Sequence, residues 1–331
     1  MVRRLLLFSL IALALPAPAA AQQLLQGAGD SGDGPRSPFR GSMLFYSNAV
    51  SVTSLKKDND LTYNPMYAMQ LTLLPRYWVS DKAFLRGILT VIHEFTEEDS
   101  NTYQNETQIT DTTVGIGAPL WTLPVVDINT SATFDLRLPT SKWSRQQDLY
   151  FALQANLNAS KNFKLLDGLN VSYTFGAVRF FHGYTTGRTL EARNGETSGP
   201  ESPFFSATPN DFINNGVRNP RIRIMHTAAL SLSFTSWLSV SASATAMHDF
   251  LYPTMDVNPG VQAQADIDAR DSMFYSTEIA FQPLDALGLA IVANTFNPQL
   301  DPNPNNTYYT PFFNRFTNLL AQVRLNVGAF L

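Results

Sequence analysis

Long segments in which apolar and polar residues alternate with a period of two constrain this sequence most. In the segment 238–250, Val240, Ala242 and Ala244 share one phase, whereas serine and threonine residues occupy the other. A helix would require a period near 3.6, so these segments are predicted to be strands. The alternation continues to the end of the chain, and the segment 316–331 is therefore expected to be a strand throughout.

Twelve segments of this kind follow one another between residues 43 and 331. They are Met43–Leu55, Met66–Trp78, Ala83–Phe95, Asp111–Trp121, Ile128–Leu138, Asp148–Ser160, Leu169–Phe181, Ile222–Trp237, Leu238–Leu251, Asp271–Gln282, Ala286–Phe296 and Phe316–Leu331. A tilted strand needs about 9–11 residues to cross the hydrocarbon core of a bilayer, and these segments are long enough.

The connections between these segments alternate between short turns and long polar stretches. The long stretches are 56–65, 96–110, 139–147, 182–221, 252–270 and 297–315. Such an alternation is typical of a transmembrane barrel with short periplasmic turns and long extracellular loops. A soluble β-sandwich is the competing fold, but it should have shorter strands and more charge on its outer face.

The first 42 residues differ in composition from the rest of the chain. Arg3 and Arg4 precede the apolar stretch 5–15, and small residues follow at 17–21, so residues 1–21 are predicted to be a signal peptide. An N-terminal membrane anchor is the alternative. Residues 22–42 are rich in Gly, Ser, Asp and Pro, which predicts a flexible linker before the barrel domain of residues 43–331.

The chain has no cysteine, which excludes disulfides and thiolate metal sites.

Aromatic residues are concentrated at both ends of the predicted strands, as in the two girdles of a membrane barrel. Those near the short turns are Tyr77, Trp78, Trp121, Phe163 and Trp237, and those at the other ends include Phe45, Tyr46, Phe95, Tyr103, Tyr150, Phe180, Tyr184, Tyr252 and Phe296.

With these features, the chain resembles Gram-negative outer-membrane β-barrel proteins from residue 43 to residue 331. The resemblance implies an all-β fold, a closed antiparallel transmembrane β-barrel of about 12 strands, integral to the bacterial outer membrane. Fourteen strands are the alternative if the stretch 182–221 contains a hairpin. Because a closed barrel has no free edge, the last strand should pair with the first.

The resemblance also implies partners. They are outer-membrane lipid, lipopolysaccharide and the barrel-assembly machinery, which would recognise the last strand through Val323, Leu325, Val327, Phe330 and Leu331. In this group the terminal residue is usually aromatic, whereas here Phe330 is penultimate.

The polar phase of the strands is expected to face the lumen. The candidate lumen and constriction residues are Arg76, Arg86, Glu94, Asp135, Arg137, Asp249, Glu278 and Arg324. Arg76 and Arg86 flank one short turn and should lie opposite each other, which is unfavourable for like charges. Either an acid such as Glu278 or Asp135 reaches them, or an anionic solute uses them. Because isolated charges are costly, pairing across the lumen is expected.

The four histidines offer a weak metal candidate. His226 and His248 lie equally far from Trp237 in sequence, so they should be nearly opposite on neighbouring strands, on the apolar phase. Such a pair could bind a metal ion or contact lipid headgroups. No metal and no cofactor is predicted.

The sequence therefore favours a narrow passive channel for small polar or weakly anionic solutes, without catalytic residues. The alternative is a closed barrel acting as a structural or export-complex subunit, with protein partners at the long loops. An outer-membrane lipid hydrolase is less favoured. Outer-membrane phospholipases resemble one another in a His-x-Ser arrangement, and in this chain no histidine is followed two residues later by a serine. No basic patch with interleaved aromatics points to nucleic acid.

Overall fold

The computed structural model describes residues 37–55, 66–96, 103–189, 213–253, 268–298 and 310–330. The predicted signal peptide and most of the predicted linker lie outside these residues. The barrel strands are β1 (Met43–Ser51), β2 (Tyr67–Leu74), β3 (Arg76–Ser80), β4 (Ala83–Glu94), β5 (Glu106–Ile109), β6 (Thr112–Leu123), β7 (Ile128–Leu138), β8 (Leu149–Phe163), β9 (Gly168–His182), β12 (Pro220–Thr235), β13 (Leu238–Leu251), β14 (Ala269–Leu284), β15 (Leu287–Pro298) and β16 (Thr317–Asn326). The hairpin β10 (Thr186–Thr189) and β11 (Ile213–Arg218) precedes β12.

The wall is an antiparallel barrel of twelve strands, as predicted. Fourteen strands form the sheet, but β2 and β3 continue one another across Pro75, and β5 and β6 do so across residues 110–111. Together, β2 and β3 pair with one edge of β4 as a single strand, and β5 and β6 pair with its other edge in the same way. The first and last strands close the barrel, with Met43 opposite Asn326 and Ser51 opposite Asn318. The predicted closure is confirmed.

The long stretch 182–221 does contain a hairpin, but it does not widen the barrel. Strands β10 and β11 pair only with each other, in a separate two-stranded sheet. The short β5 in the stretch 96–110 was not predicted, and it extends the wall beside β4.

Among the described residues, two short α-helices lie at the long-loop end: α1 (Val52–Leu55) and α2 (Lys142–Gln146). None of the helices among the described residues is long and apolar enough to cross a membrane. The prediction that the first strand extends to Leu55 is wrong. The Ser51 hydroxyl accepts a hydrogen bond from the Met66 backbone N–H at 3.0 Å and bonds the Thr53 hydroxyl at 2.8 Å, which stabilises a turn there.

The last strand ends at Asn326, so the prediction of a strand to Leu331 is also wrong. Beyond Asn326, neither β15 nor β1 offers a further paired residue, and residues Val327–Ala329 form a 3-10 helix. The backbone N–H groups of Val327 and Gly328 both donate to the Ser42 carbonyl, at 2.9 and 3.3 Å. Of the predicted assembly residues, Val323 and Leu325 belong to β16, whereas Val327 and Phe330 follow it; Leu331 lies outside the described residues.

The outer face of the barrel is apolar and exposed. Its exposed side chains include Leu71, Leu85, Ile116, Leu157, Leu230, Ile279 and Ile291. Trp121, Trp237, Tyr77 and Phe163 are exposed beside the short turns, where a girdle was expected. The girdle expectation is wrong for Phe45, Phe180 and Phe296, which are buried on the inward phase, and Trp78 lines the interior cavity.

Residues 37–42 pack against the short-turn rim. The Trp78 indole N–H donates to the Arg40 carbonyl at 3.1 Å, and the Arg40 guanidinium lies 4.0 Å from the centre of the Trp78 ring. Phe39 meets Tyr77 edge to face. The end of the predicted linker therefore contacts β3 at the mouth of the barrel.

Candidate functional site

The lumen contains every charged residue that the strand phasing predicted there. Glu94, Asp135, Asp249, Glu278 and Arg324 are buried, and Arg76 and Arg86 line the interior cavity. Arg137 shares its phase with Asp135 on β7 and donates a hydrogen bond to the Gln154 side-chain oxygen at 3.3 Å. Glu94 lies at the long-loop end of β4, where its carboxylate accepts a hydrogen bond from the Thr96 hydroxyl at 3.2 Å.

A cavity of about 1490 Å³ occupies the short-turn half of the lumen. One wall, built from β8, β9, β12 and β13, presents neutral polar side chains. These are Asn156, Asn158, Ser160, Asn162, Asn170, Thr174, Ser231, Ser233, Ser239 and Ser241. The facing wall carries Arg40, Arg76, Arg86 and Arg324, together with Glu278, and the short turns add Asp81, Asp127, Lys164, Asp167 and Asp285. The cavity is thus polar on one side and rich in arginine on the other.

Buried side chains lie beyond this cavity, toward the long loops. Eight of them form an apolar cluster on β8, β9 and β12–β15: Leu149, Ala152, Val178, Phe180, Met225, Met247, Phe274 and Phe296. None of the eight lines the cavity. The opposite wall at this level is buried and polar, with Ser47, Thr90 and Gln322. This layer of buried side chains therefore lies above Arg76 and Arg86, which line the cavity.

Arg76 and Arg86 are directly opposite each other in the pairing of β3 with β4. Two contacts reduce the repulsion between them. The Arg76 guanidinium lies 4.4 Å from the centre of the Phe84 ring, and cations are attracted to aromatic faces. The Arg86 Nε atom lies 3.2 Å from Asp135 Oδ1. That oxygen accepts no hydrogen bond, so the contact is an ion pair held by charge alone.

The ion pairs of the lumen run along its wall, and the expectation that they cross it is wrong. Arg324 of β16 forms a bidentate salt bridge with Glu278 of β14, in which the two terminal guanidinium nitrogens lie 2.7 and 2.6 Å from the two carboxylate oxygens. Between them on β15, Gly288 is opposite Arg324 and Val292 is opposite Glu278, with the small Ala290 between these two residues. Arg223 and Asp249, opposite each other on β12 and β13, pair at 2.6 and 2.8 Å.

Glycine residues on β6 allow side chains of the neighbouring strands to lie close against the barrel wall. The Arg86–Asp135 pair joins β4 to β7 across Gly115, where an added Cβ would overlap the Asp135 carboxylate. An added Cβ on Gly117 would overlap the Phe84 ring in the same way. Glycines two residues apart inside a strand mark a close approach of other groups, and this signal was available in the sequence "VGIGAP".

Comparison with known proteins identifies the class of fold. No protein-family model matches the chain, and no curated protein matches its sequence. Among solved structures, the chain is similar to the COG4313 outer membrane channel from Pseudomonas putida F1, with a TM-score of 0.52, 11% identity, and 90% and 98% of the two chains covered. This likeness shows the fold alone. The chain has the fold of Gram-negative outer-membrane β-barrel proteins.

Two further structures are less similar to this outer-membrane barrel. They are LpxR from Salmonella typhimurium, with a TM-score of 0.38, 9% identity and coverage of 86% and 99%, and the TodX monoaromatic hydrocarbon channel, with a TM-score of 0.36, 11% identity and coverage of 88% and 90%. These TM-scores are too low to support a conclusion about this protein.

The two histidines proposed as metal candidates lie on the outer face of the outer-membrane barrel. They are not directly opposite: His226 pairs with Ala246, and His248 pairs with Ile224. A register shift between Ser233 and Thr235, near the turn, produces this diagonal offset. Their ring centres are nevertheless 6.0 Å apart. No cluster of three or more His, Cys, Asp or Glu side chains suited to a metal ion occurs among the described residues.

Proposed function

We propose that this outer-membrane barrel is a narrow passive channel for small polar or weakly anionic solutes. The observation that carries the proposal is the 1490 Å³ polar cavity, together with lumen charges that pair along the wall. Charges paired in this way leave the cavity in the short-turn half of the lumen free for a solute. Such a channel requires no catalytic residue and no cofactor.

The charge distribution of the cavity supports a preference for anions. Arg40, Arg76 and Arg86 lie on one side of the cavity, and the facing wall contributes neutral serine, threonine and asparagine groups. Lys164 and the acids Asp81, Asp127, Asp167 and Asp285 also line the cavity, but they lie at the short turns. Above these mixed charges, the grouped arginines raise the local concentration of anionic solutes. The neutral wall can donate and accept hydrogen bonds, as small polar solutes require.

The buried layer above the cavity favours a second candidate function. Side chains such as Met247 and Val178, with 0% and 2% exposure, fill the long-loop half of the lumen on one side. A barrel that stays closed at this level would be a structural or export-complex subunit. A channel instead requires this layer to open.

The preference for anions is tested by reversal potentials across planar bilayers under a salt gradient. Arg76→Ala is expected to lower the anion-to-cation permeability ratio by several-fold. Arg86→Ala should lower it further, because it also leaves the Asp135 carboxylate without its cation. Lys161→Ala is the matched control, since Lys161 lies on the outward phase of β8, beside Phe163, and does not line the cavity. An unchanged ratio in the Arg76→Ala/Arg86→Ala double variant would exclude these residues from solute selection.

A further inference from the structure

Four polar side chains form a row on the outward face of four adjacent strands. They are Tyr173 on β9, His226 on β12, His248 on β13 and Asp271 on β14. The Tyr173 hydroxyl lies 2.6 Å from His226 Nδ1, and Asp271 Oδ1 lies 2.8 Å from His248 Nδ1. The two imidazole rings are 6.0 Å apart between centroids and inclined by 72°. The lumen function uses none of these groups.

This row lies near the outer edge of the apolar band. On β12, His226 shares the outward phase with Phe234 at the short-turn rim, eight residue steps along the strand. At about 3.3 Å per residue and a tilt of about 40°, His226 lies about 20 Å above that rim, in a band about 25 Å tall. A site at this depth is within reach of ions from the external medium. About 43% of the His248 side chain and 43% of the Asp271 side chain are exposed.

The hydrogen bond to Asp271 fixes which ring nitrogen of His248 is available to a ligand. An ionised carboxylate only accepts hydrogen bonds, so His248 Nδ1 carries the proton that it donates to Asp271. In the neutral imidazole, His248 Nε2 then has a free lone pair. Tyr173 contacts the same nitrogen, Nδ1, of His226, and its hydroxyl can either accept or donate there. When the hydroxyl accepts, His226 Nε2 also has a free lone pair, and neither Nε2 atom is hydrogen-bonded to a described residue.

This arrangement is the one found around metal-binding histidines. A histidine ligand almost always donates its other ring N–H to a carboxylate or another acceptor, which orients the ring and raises its basicity. Imidazole suits divalent zinc, nickel and copper better than magnesium or calcium. The other outward neighbours of the pair are apolar and supply no competing hydrogen-bond partner: the Phe175 ring centre lies 5.4 Å from the His226 ring centre, Ala246 is opposite His226 and Ile224 is opposite His248.

We propose that His226 and His248 form a two-histidine site for a divalent transition-metal ion. The ion is bound through the two Nε2 atoms, and water completes its coordination. Asp271 and Tyr173 are positioning residues, because each acts on the ion through a histidine. The site is on the outer wall, separate from the lumen, and is independent of the channel proposal.

The test is isothermal titration calorimetry of untagged, refolded protein in detergent with NiCl₂ and with ZnCl₂. The wild type is expected to bind one ion per chain, and His226→Ala and His248→Ala should each weaken binding at least tenfold. Asp271→Asn should weaken binding by about tenfold or more while both ligands remain, as expected for an orienting partner. A smaller effect of Asp271→Asn would remove its positioning role.

His93 provides the matched control, because it also lies on the outer wall and bonds a hydroxyl, that of Thr107, through Nδ1 at 2.8 Å. His93→Ala is expected to leave the affinity unchanged. The proposal is overturned if the His226→Ala/His248→Ala double variant, shown to be folded by its heat-modifiable gel mobility, binds the ion as tightly as the wild type. It is equally overturned if His93→Ala weakens binding as much as either substitution in the pair.

Discussion

Replacing Glu278 by alanine is expected to destabilise the folded barrel by about 3–5 kcal/mol. The Glu278 carboxylate and the Arg324 guanidinium are only 5% and 3% exposed, and they bond each other at two points. Removal of the acid leaves the Arg324 charge buried without its partner, and the remaining bond from Arg324 Nε to the Gln322 oxygen cannot replace it. The change is measured as the free energy of unfolding in urea, with the protein refolded into lipid vesicles.

Two further variants separate the buried charge from other causes. In the Glu278→Leu/Arg324→Met double variant both charges are absent, and most of the lost stability should return, because apolar replacement of a buried pair is often neutral. Asp81→Ala removes the acid of the Arg40–Asp81 pair, in which Asp81 is 83% exposed, and should cost at most about 1 kcal/mol. A Glu278→Ala loss no larger than that of Asp81→Ala would contradict the structural role of the buried pair.

Substituting Gly115 by alanine is expected to cost about 1–3 kcal/mol, through overpacking of the wall. An added Cβ would overlap both the Asp135 carboxylate and the Phe134 backbone carbonyl, and the backbone cannot move aside as a flexible side chain can. The same substitution would push Asp135 away from Arg86 and weaken their ion pair. Unfolding in urea measures the loss of stability. A change in the anion-to-cation permeability ratio measures the effect of the weakened ion pair on Arg86.

Gly288→Ala is the matched control for this prediction. Gly288 also lines the cavity, but an added Cβ there would meet Arg324 Cβ at 3.6 Å, an ordinary van der Waals contact. Its stability should stay within about 0.5 kcal/mol of the wild type, as for other substitutions that create no clash or unpaired group. Equal losses for Gly115→Ala and Gly288→Ala would show that close approach across β6 has no special importance.

The barrel itself could be predicted from the sequence because apolar and polar residues alternate regularly along its strands. Segments such as Leu238–Leu251 alternate with a period of two, and the structure gives that strand the same bounds. The short and long connections set the direction of each strand, and the absence of free edges requires β1 to pair with β16. The strand ends were less predictable, since they depend on hydrogen bonds between residues distant in sequence: Ser51 with Met66, and Val327 and Gly328 with Ser42.

The arrangement inside the lumen could be predicted only in part. Phase alone placed Arg86, Asp135, Glu278 and Arg324 inside, but it does not say which pairs form. The partners depend on the register between strands that are next-nearest neighbours and on glycine at the intervening position, as at Gly115. The aromatic residues Phe180 and Phe296 were assigned to a girdle because strand ends attract aromatics, whereas their inward phase decides their position.

The channel account is tested most directly by single-channel conductance of the purified, refolded protein in a planar bilayer. The account predicts steady conductance steps from a heat-modifiable, folded barrel, because the charges around the 1490 Å³ cavity pair along its wall. The complete absence of conductance in such a barrel would contradict the channel proposal. It would favour a closed barrel that serves as a structural or export-complex subunit.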